Sequence, residues 1–176
     1  MDTTTAATTT AGTFAVTKLT VPMPVRSVVA RPHLVEHLDR PGYRVGLLSA
    51  PAGFGKTALL ASWAAARRDS VAWLSCDTSD GEPTRFWRGL LATVAQRWPG
   101  VGDDAAILLE RSSSDSHDLA ISLANDLGSA DLGGVERPAA IVIDDFHLAR
   151  PTPAVFSGLV GALNTCLLYT SPSPRD

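Results

Sequence analysis

The chain has 176 residues, enough for one domain and at most two. It is 45% hydrophobic and 19% charged, which excludes a chain too polar to fold, and no apolar run approaches the roughly 18 residues of a membrane-spanning helix. A net charge of −3 excludes a nucleic-acid-binding surface that is basic over its whole length, and two cysteines, Cys76 and Cys166, supply neither a disulfide framework nor a metal-ligand cluster.

Residues 1–13 hold seven threonines and three alanines, with no apolar periodicity and none of the basic start or apolar stretch of a secretory signal. They read as a disordered tail of a cytoplasmic protein. Residues 43–49 (YRVGLLS) are a short apolar run that enters a glycine-containing loop, the pattern of a buried strand. The Ala/Leu-rich stretch 57–67 predicts a helix with Leu59, Leu60 and Trp63 on its buried stripe. Residues 71–75 (VAWLS) predict a second buried strand. Pro83 suits the first turn of the next helix, where Phe86, Leu90, Val94 and Trp98 recur on one face. A shorter helix is expected over 103–110. Another is capped by Ser116, buries Leu119, Leu123 and Leu127, and ends at Gly128. Residues 139–143 (AAIVI) predict a third buried strand closed by Asp144 and Asp145, and 153–163 a last helix. Strands alternating with helices of this length make an α/β fold, a mostly parallel sheet flanked by helices on both faces.

The strongest chemical signal is residues 50–57, APAGFGKT, between a predicted strand and a predicted helix. The phosphate-loop pattern G-x-x-x-x-G-K-[ST] is met at Gly55, Lys56 and Thr57, with Ala50 in place of the first glycine. Gly53 and Gly55 permit positive φ, so the N–H groups of Ala52, Gly53, Phe54, Gly55, Lys56, Thr57 and Ala58 can turn toward phosphate oxygens. The helix start adds its dipole, Lys56 a mobile positive charge, and the Thr57 hydroxyl a hard oxygen for Mg²⁺. The strand ending in Asp144-Asp145 has the form of a Walker B element. Asp144 is expected to hold the Mg²⁺ shell with Thr57, and Asp145 to orient or deprotonate an attacking water. The candidate catalytic set is thus Lys56, Asp144 and Asp145. At the carboxyl ends of neighbouring parallel strands both motifs would meet in one crevice.

Other residues read as structural. Cys76 is expected to be a small buried hydrophobe, the four tryptophans packing residues, His147 solvated or locally hydrogen-bonded, and the Arg67-Arg68 pair a favourable helix C-terminus.

Residues 18–163 resemble the N-terminal nucleotide-binding domain of large ATP-binding LuxR-type, maltose-activator-like transcription regulators, members of the signal-transduction ATPases with numerous domains. The resemblance is carried by KLTVP, VVARPHLVEHLDR, LLSAPAGFGKTALLASWAA, VAWLSCDTSDGEPTRFWRGLLATV and IVIDDFHL. It implies a P-loop NTPase fold and a switch in which ATP supports self-association and ADP marks the resting state, with slow hydrolysis between them. It also implies that the segment around Val29, Arg31 and Pro32 helps hold the adenine, and that DNA is bound by a helix-turn-helix outside these residues. In proteins of this class the strand after Walker B lies between the phosphate-loop strand and the Walker B strand. Residues 166–176 (CLLYTSPSPRD) resemble a translated sequencing adapter. The domain reading therefore covers 14–165 as the first part of a nucleotide domain whose later strands lie outside it, and the chain alone is expected to be unstable. Two other readings stay open: a P-loop ATPase or kinase of another class, and a non-catalytic nucleotide-binding scaffold.

Overall fold

A computed structural model describes residues 14–23, 30–39, 46–111, 115–130, 139–149, 155 and 157–161. In chain order the elements are a 3₁₀ turn at Val16–Leu19, α1 (Pro32–Leu38), α2 (Lys56–Ala65), β1 (Val71–Ser75), a 3₁₀ turn at Thr78–Gly81, α3 (Pro83–Arg97), α4 (Asp103–Glu110), α5 (Ser116–Ser129), β2 (Ala140–Asp144) and α6 (Phe146–Ala149). The architecture is α/β, built on a parallel pair in which Val71 stands beside Ala140 and Ser75 beside Asp144.

The alternation of side chains along β1 divides the core. Val71 and Trp73 join Val142 under α2, where they pack on Ala61, Trp63 and Ala64, with Val35 and Leu38 of α1 at the margin. Ala72 and Leu74 face the other way, into a larger cluster with Phe86, Leu90 and Val94 of α3, Ala105 of α4 and Leu119 and Leu123 of α5. Strand side chains have a period of two, so consecutive apolar residues must find cover on both faces. Helices on both faces follow, as the continuous apolar runs predict. Gly89 sits where α3 crosses this sheet: a Cβ there would lie 3.5 Å from both Leu74 and Phe14.

The helix ends follow local chemistry. Glu82 accepts from the N–H groups of Thr84 and Arg85 at 3.0 and 2.7 Å, with Pro83 as the first helical residue of α3. Those two hydrogen bonds offset the effect of burial and hold the Glu82 carboxyl below its ordinary pKa. The cap of α5 is Asp115 rather than Ser116, which is already helical, and the helix passes Gly128 to end at Ser129. The carboxylate at 115 is one residue better placed to meet the N–H of His117. Ser116 instead receives the indole N–H of Trp87 at 3.1 Å.

One expected element differs. Tyr43, Arg44 and Val45 lie outside the described residues, and 46–50 carry no strand pairing; Leu47 is 81% exposed. A strand exists by pairing its backbone groups, and among the described residues none forms a ladder with 46–49. The sheet is therefore two-stranded here, β1 with β2. Of the expected last helix, Val155 and residues 157–161 are helical, with Val155 and Leu159 buried; its other residues, like 1–13 and 166–176, lie outside the described set.

Candidate functional site

The loop before α2 is shaped by its glycines. Gly53 and Gly55 adopt φ of +82° and +77°, the left-handed region that side chains with a Cβ resist. Gly55 is the N-cap of α2 and offers no side-chain acceptor, so the first-turn N–H groups of the helix, at Lys56, Thr57 and Ala58, are without intrahelical partners. Ala52, Gly53, Phe54 and Gly55 are exposed, and Lys56, Thr57 and Ala58 half-buried. Phe54, 57% exposed, leaves the loop with its ring in solvent. The Lys56 ammonium turns back over this loop and donates to the carbonyls of Ala50 at 2.7 Å and Pro51 at 3.2 Å. Its charge therefore stands at the loop rather than in open solvent.

The two motifs meet. The Thr57 hydroxyl donates to Asp144 Oδ1 at 3.1 Å across 87 residues of sequence. Asp144 closes β2, and its carbonyl accepts from the Cys76 N–H at 2.9 Å, extending the β1–β2 ladder by one step. It is 5% exposed. Burial raises its carboxyl pKa, and the hydrogen bond from Thr57 only partly opposes this. A buried carboxylate beside a threonine hydroxyl is a hard-oxygen donor pair that suits Mg²⁺, and the Lys56 charge acts on it from the loop. The residues present therefore fit the ion.

The sign of the Asp144 shift yields a prediction. A carboxyl whose pKa is higher folded than unfolded favours the fold below the unfolded value and loses that contribution as pH rises through the folded value. At neutral pH Asp144 thus opposes folding. Asp144→Asn is expected to raise the urea midpoint at pH 7 while weakening Mg²⁺–ATP binding by roughly tenfold or more, the worth of a charge-assisted contact. An unchanged or lower midpoint would count against the burial argument.

Asp145 follows at φ +52°, a left-handed conformation that aspartate tolerates better than most side chains. Its carbonyl accepts from the Leu148 N–H at 2.8 Å, which starts α6. Its carboxylate is half-exposed, 3.9 Å from Nδ1 of the exposed His147. Arg31 precedes α1, and its carbonyl accepts from the N–H groups of Leu34 and Val35. Val29 lies outside the described residues. α1 is clasped to α2 by the Asp39 carboxylate, which accepts from Trp63 Nε1 at 2.6 Å and from the Arg67 guanidinium. That guanidinium also stacks 4.8 Å from the Trp63 ring, so Arg67 is a packing residue as well as a charge near a helix end. Cys76 is buried, with its thiol pushed up to about 12 mainly by burial and then by the charge of Asp80, and is inert.

Sequence reasoning missed a second buried charged cluster at the end of β1. Lys18 Nζ lies 2.9 Å from Asp77 Oδ2 and 2.5 Å from Asp80 Oδ2. Burial alone would lower the Lys18 pKa, but hydrogen bonds and charge from both aspartates outweigh it and hold the ammonium above its ordinary value. Asp77 is held well below the usual carboxylate range by the Ser79 hydroxyl and then by Lys18. The local signal was the Asp77-x-x-Asp80 spacing, a capping box in which Asp80 accepts from the Asp77 N–H at 2.8 Å. Nothing in the sequence tied it to Lys18.

No family model matches the chain. It is similar to curated proteins named HTH-type transcriptional regulator MalT: 33% identical over 132 residues to that of Cronobacter sakazakii, 33% over 133 to that of Serratia proteamaculans, and 35% over 133 to that of Yersinia enterocolitica. Each match covers 74% of this chain and 14% of the relative. No helix among the described residues is long and apolar enough to cross a membrane. With most of its length matched at this identity, the chain corresponds to a small part, about 14%, of the large LuxR-type, MalT-like transcriptional regulators that it matches.

Proposed function

We propose that the chain is the ATP-binding switch segment of such a regulator, with a P-loop NTPase fold. The observation that carries this reading is the hydrogen bond from Thr57 to Asp144, which brings the end of the phosphate loop to the end of the Walker B strand. The loop N–H groups from Ala52 to Ala58 receive the phosphates, and Lys56 exchanges two neutral carbonyls for charged phosphate oxygens, a stronger hydrogen bond. Thr57 and Asp144 hold Mg²⁺, which supplies charge neutralisation on the phosphates when bound. Asp145, half-exposed and one residue beyond, orients or deprotonates water for a slow hydrolysis that returns the switch from ATP to ADP. Arg31 and its neighbours contribute to holding the adenine. The whole protein works in the cytoplasm, self-associates in its ATP state, and reaches DNA through a helix-turn-helix of the kind that the relatives' name specifies.

The test is ATP hydrolysis by the whole protein. Asp145→Asn is expected to lower the rate by roughly a hundredfold or more, the range of general-base effects, with Mg²⁺–ATP affinity retained. An unchanged, measurable rate removes Asp145 from the chemistry, whereas no measurable hydrolysis by the parent protein favours the non-catalytic scaffold reading.

A further inference from the structure

The only lysine besides Lys56 is Lys18, and it is buried: 9% of its side chain is exposed, and 1% of that of its partner Asp80. A buried ion pair contributes little net stability, because desolvation offsets its attraction, but it is demanding about geometry. This one joins the N-terminal 3₁₀ turn to the 3₁₀ turn that follows β1, 62 positions apart (80 minus 18). Asp80 is also fastened within its own turn, through the Asp77 N–H at 2.8 Å. Arg85 Nε stands 3.8 Å from its other oxygen.

The far side of that turn presses on α6. A Cβ at Gly81 would lie 3.1 Å from the carbonyl oxygen of the fully buried Ala149, a backbone atom that cannot swing aside. At the other end of α6 the Phe146 ring packs 5.7 Å from that of Phe86. α6 begins directly after Asp145, whose left-handed backbone is the joint between β2 and this helix. A displacement of α6 is therefore taken up at the dihedral angles of Asp145.

We propose that Lys18 is a positioning residue for Asp145, acting through Asp80, the turn Thr78–Gly81 and the buried end of α6. The proposal rests on the reading of Asp145 as the residue that activates water. It predicts a split between turnover and binding, because the phosphate loop leads into α2, which carries Thr57 and packs on the other face of the sheet from α3.

The experiment measures hydrolysis at saturating Mg²⁺–ATP, and Mg²⁺–ATP affinity, in the whole protein and in Lys18→Met, Gly81→Ala and Asp145→Asn. Lys18→Met removes the charge at similar length; Gly81→Ala pushes on the Ala149 carbonyl and leaves the charges alone. Both are expected to slow hydrolysis roughly ten- to a hundredfold, the effect of about an ångström of misplacement, with affinity within about threefold of the parent. If Lys18→Met does not fold, Lys18→Met with Asp80→Asn removes both charges and replaces it. Affinity falling in step with rate overturns the proposal, as does an unchanged rate in Lys18→Met or its replacement while Asp145→Asn is slow. An unchanged rate in Asp145→Asn overturns the reading of Asp145 and, with it, the positioning role of Lys18.

Discussion

Lys56→Ala is expected to weaken Mg²⁺–ATP binding by roughly ten- to a hundredfold, the loss of a charged hydrogen bond worth about 1.5–3 kcal/mol. The ammonium is already at the loop, 2.7 Å from the Ala50 carbonyl, so the loop does not have to recruit it from a distance. Its loss leaves two carbonyls without this donor, but Pro51 is exposed and Ala50 half-buried, so water can replace it. The unfolding free energy is accordingly expected to change by no more than about 0.5 kcal/mol, as for an ordinary surface substitution. Calorimetric titration of the whole protein with Mg²⁺–ATP, beside urea denaturation, checks both halves. Equal affinity in parent and variant sinks the phosphate-loop assignment, and a large fall in stability would show that Lys56 is structural.

Trp73→Ala is expected to destabilise the fold by about 3–5 kcal/mol, the range for removing a large aromatic side chain from a core. Trp73 is 1% exposed in the middle of β1 and packs with Val71 and Val142 beneath α2. Its indole N–H donates to the Ser75 hydroxyl at 2.9 Å. A domain of ordinary stability has about 5–15 kcal/mol in all, so this single change consumes a large part of it. It also reaches the site. Lys56 and Thr57 ride on α2, whereas Asp144 ends the sheet, and Trp73 is part of the packing between them. The urea midpoint is expected to fall steeply with little change in the slope of the transition. A loss below about 1 kcal/mol would mean that α2 is held to the sheet by something else.

The contrast between these two residues shows how much was readable beforehand. Lys56 was identified by a local spacing, and its loop conformation follows from two glycines, so both were legible in eight residues. Trp73 was legible as a core residue because an uninterrupted apolar run of four, Val71 to Leu74, fits a strand covered on both faces. α4 matches its predicted bounds, and α3 begins at the proline that marked it. Caps shifted by one residue, as at Asp115, because neighbouring polar side chains compete for the same N–H groups. The apolar run at 43–49 looked no different from the other two strands, yet its described part is unpaired. Periodicity states that a segment can be a strand; pairing requires a neighbour, which is not a property of the segment.

The sequence by itself determined the α/β class, most of the helices, β1 and β2, the phosphate-loop pattern and the paired acids. Each depends on periodicity, capping or spacing within a few turns of chain. Only the tertiary structure decided that Thr57 touches Asp144, that Asp145 takes a left-handed joint, that Asp39 clasps α2 through Trp63 and Arg67, and that Lys18 is buried against Asp80. These contacts join residues 24 to 87 positions apart in the chain. Their geometry depends on how helices seat on the two faces of a sheet, and no local pattern carries that information. One lysine was therefore recognisable by its neighbours in sequence, and the other only by its neighbours in space.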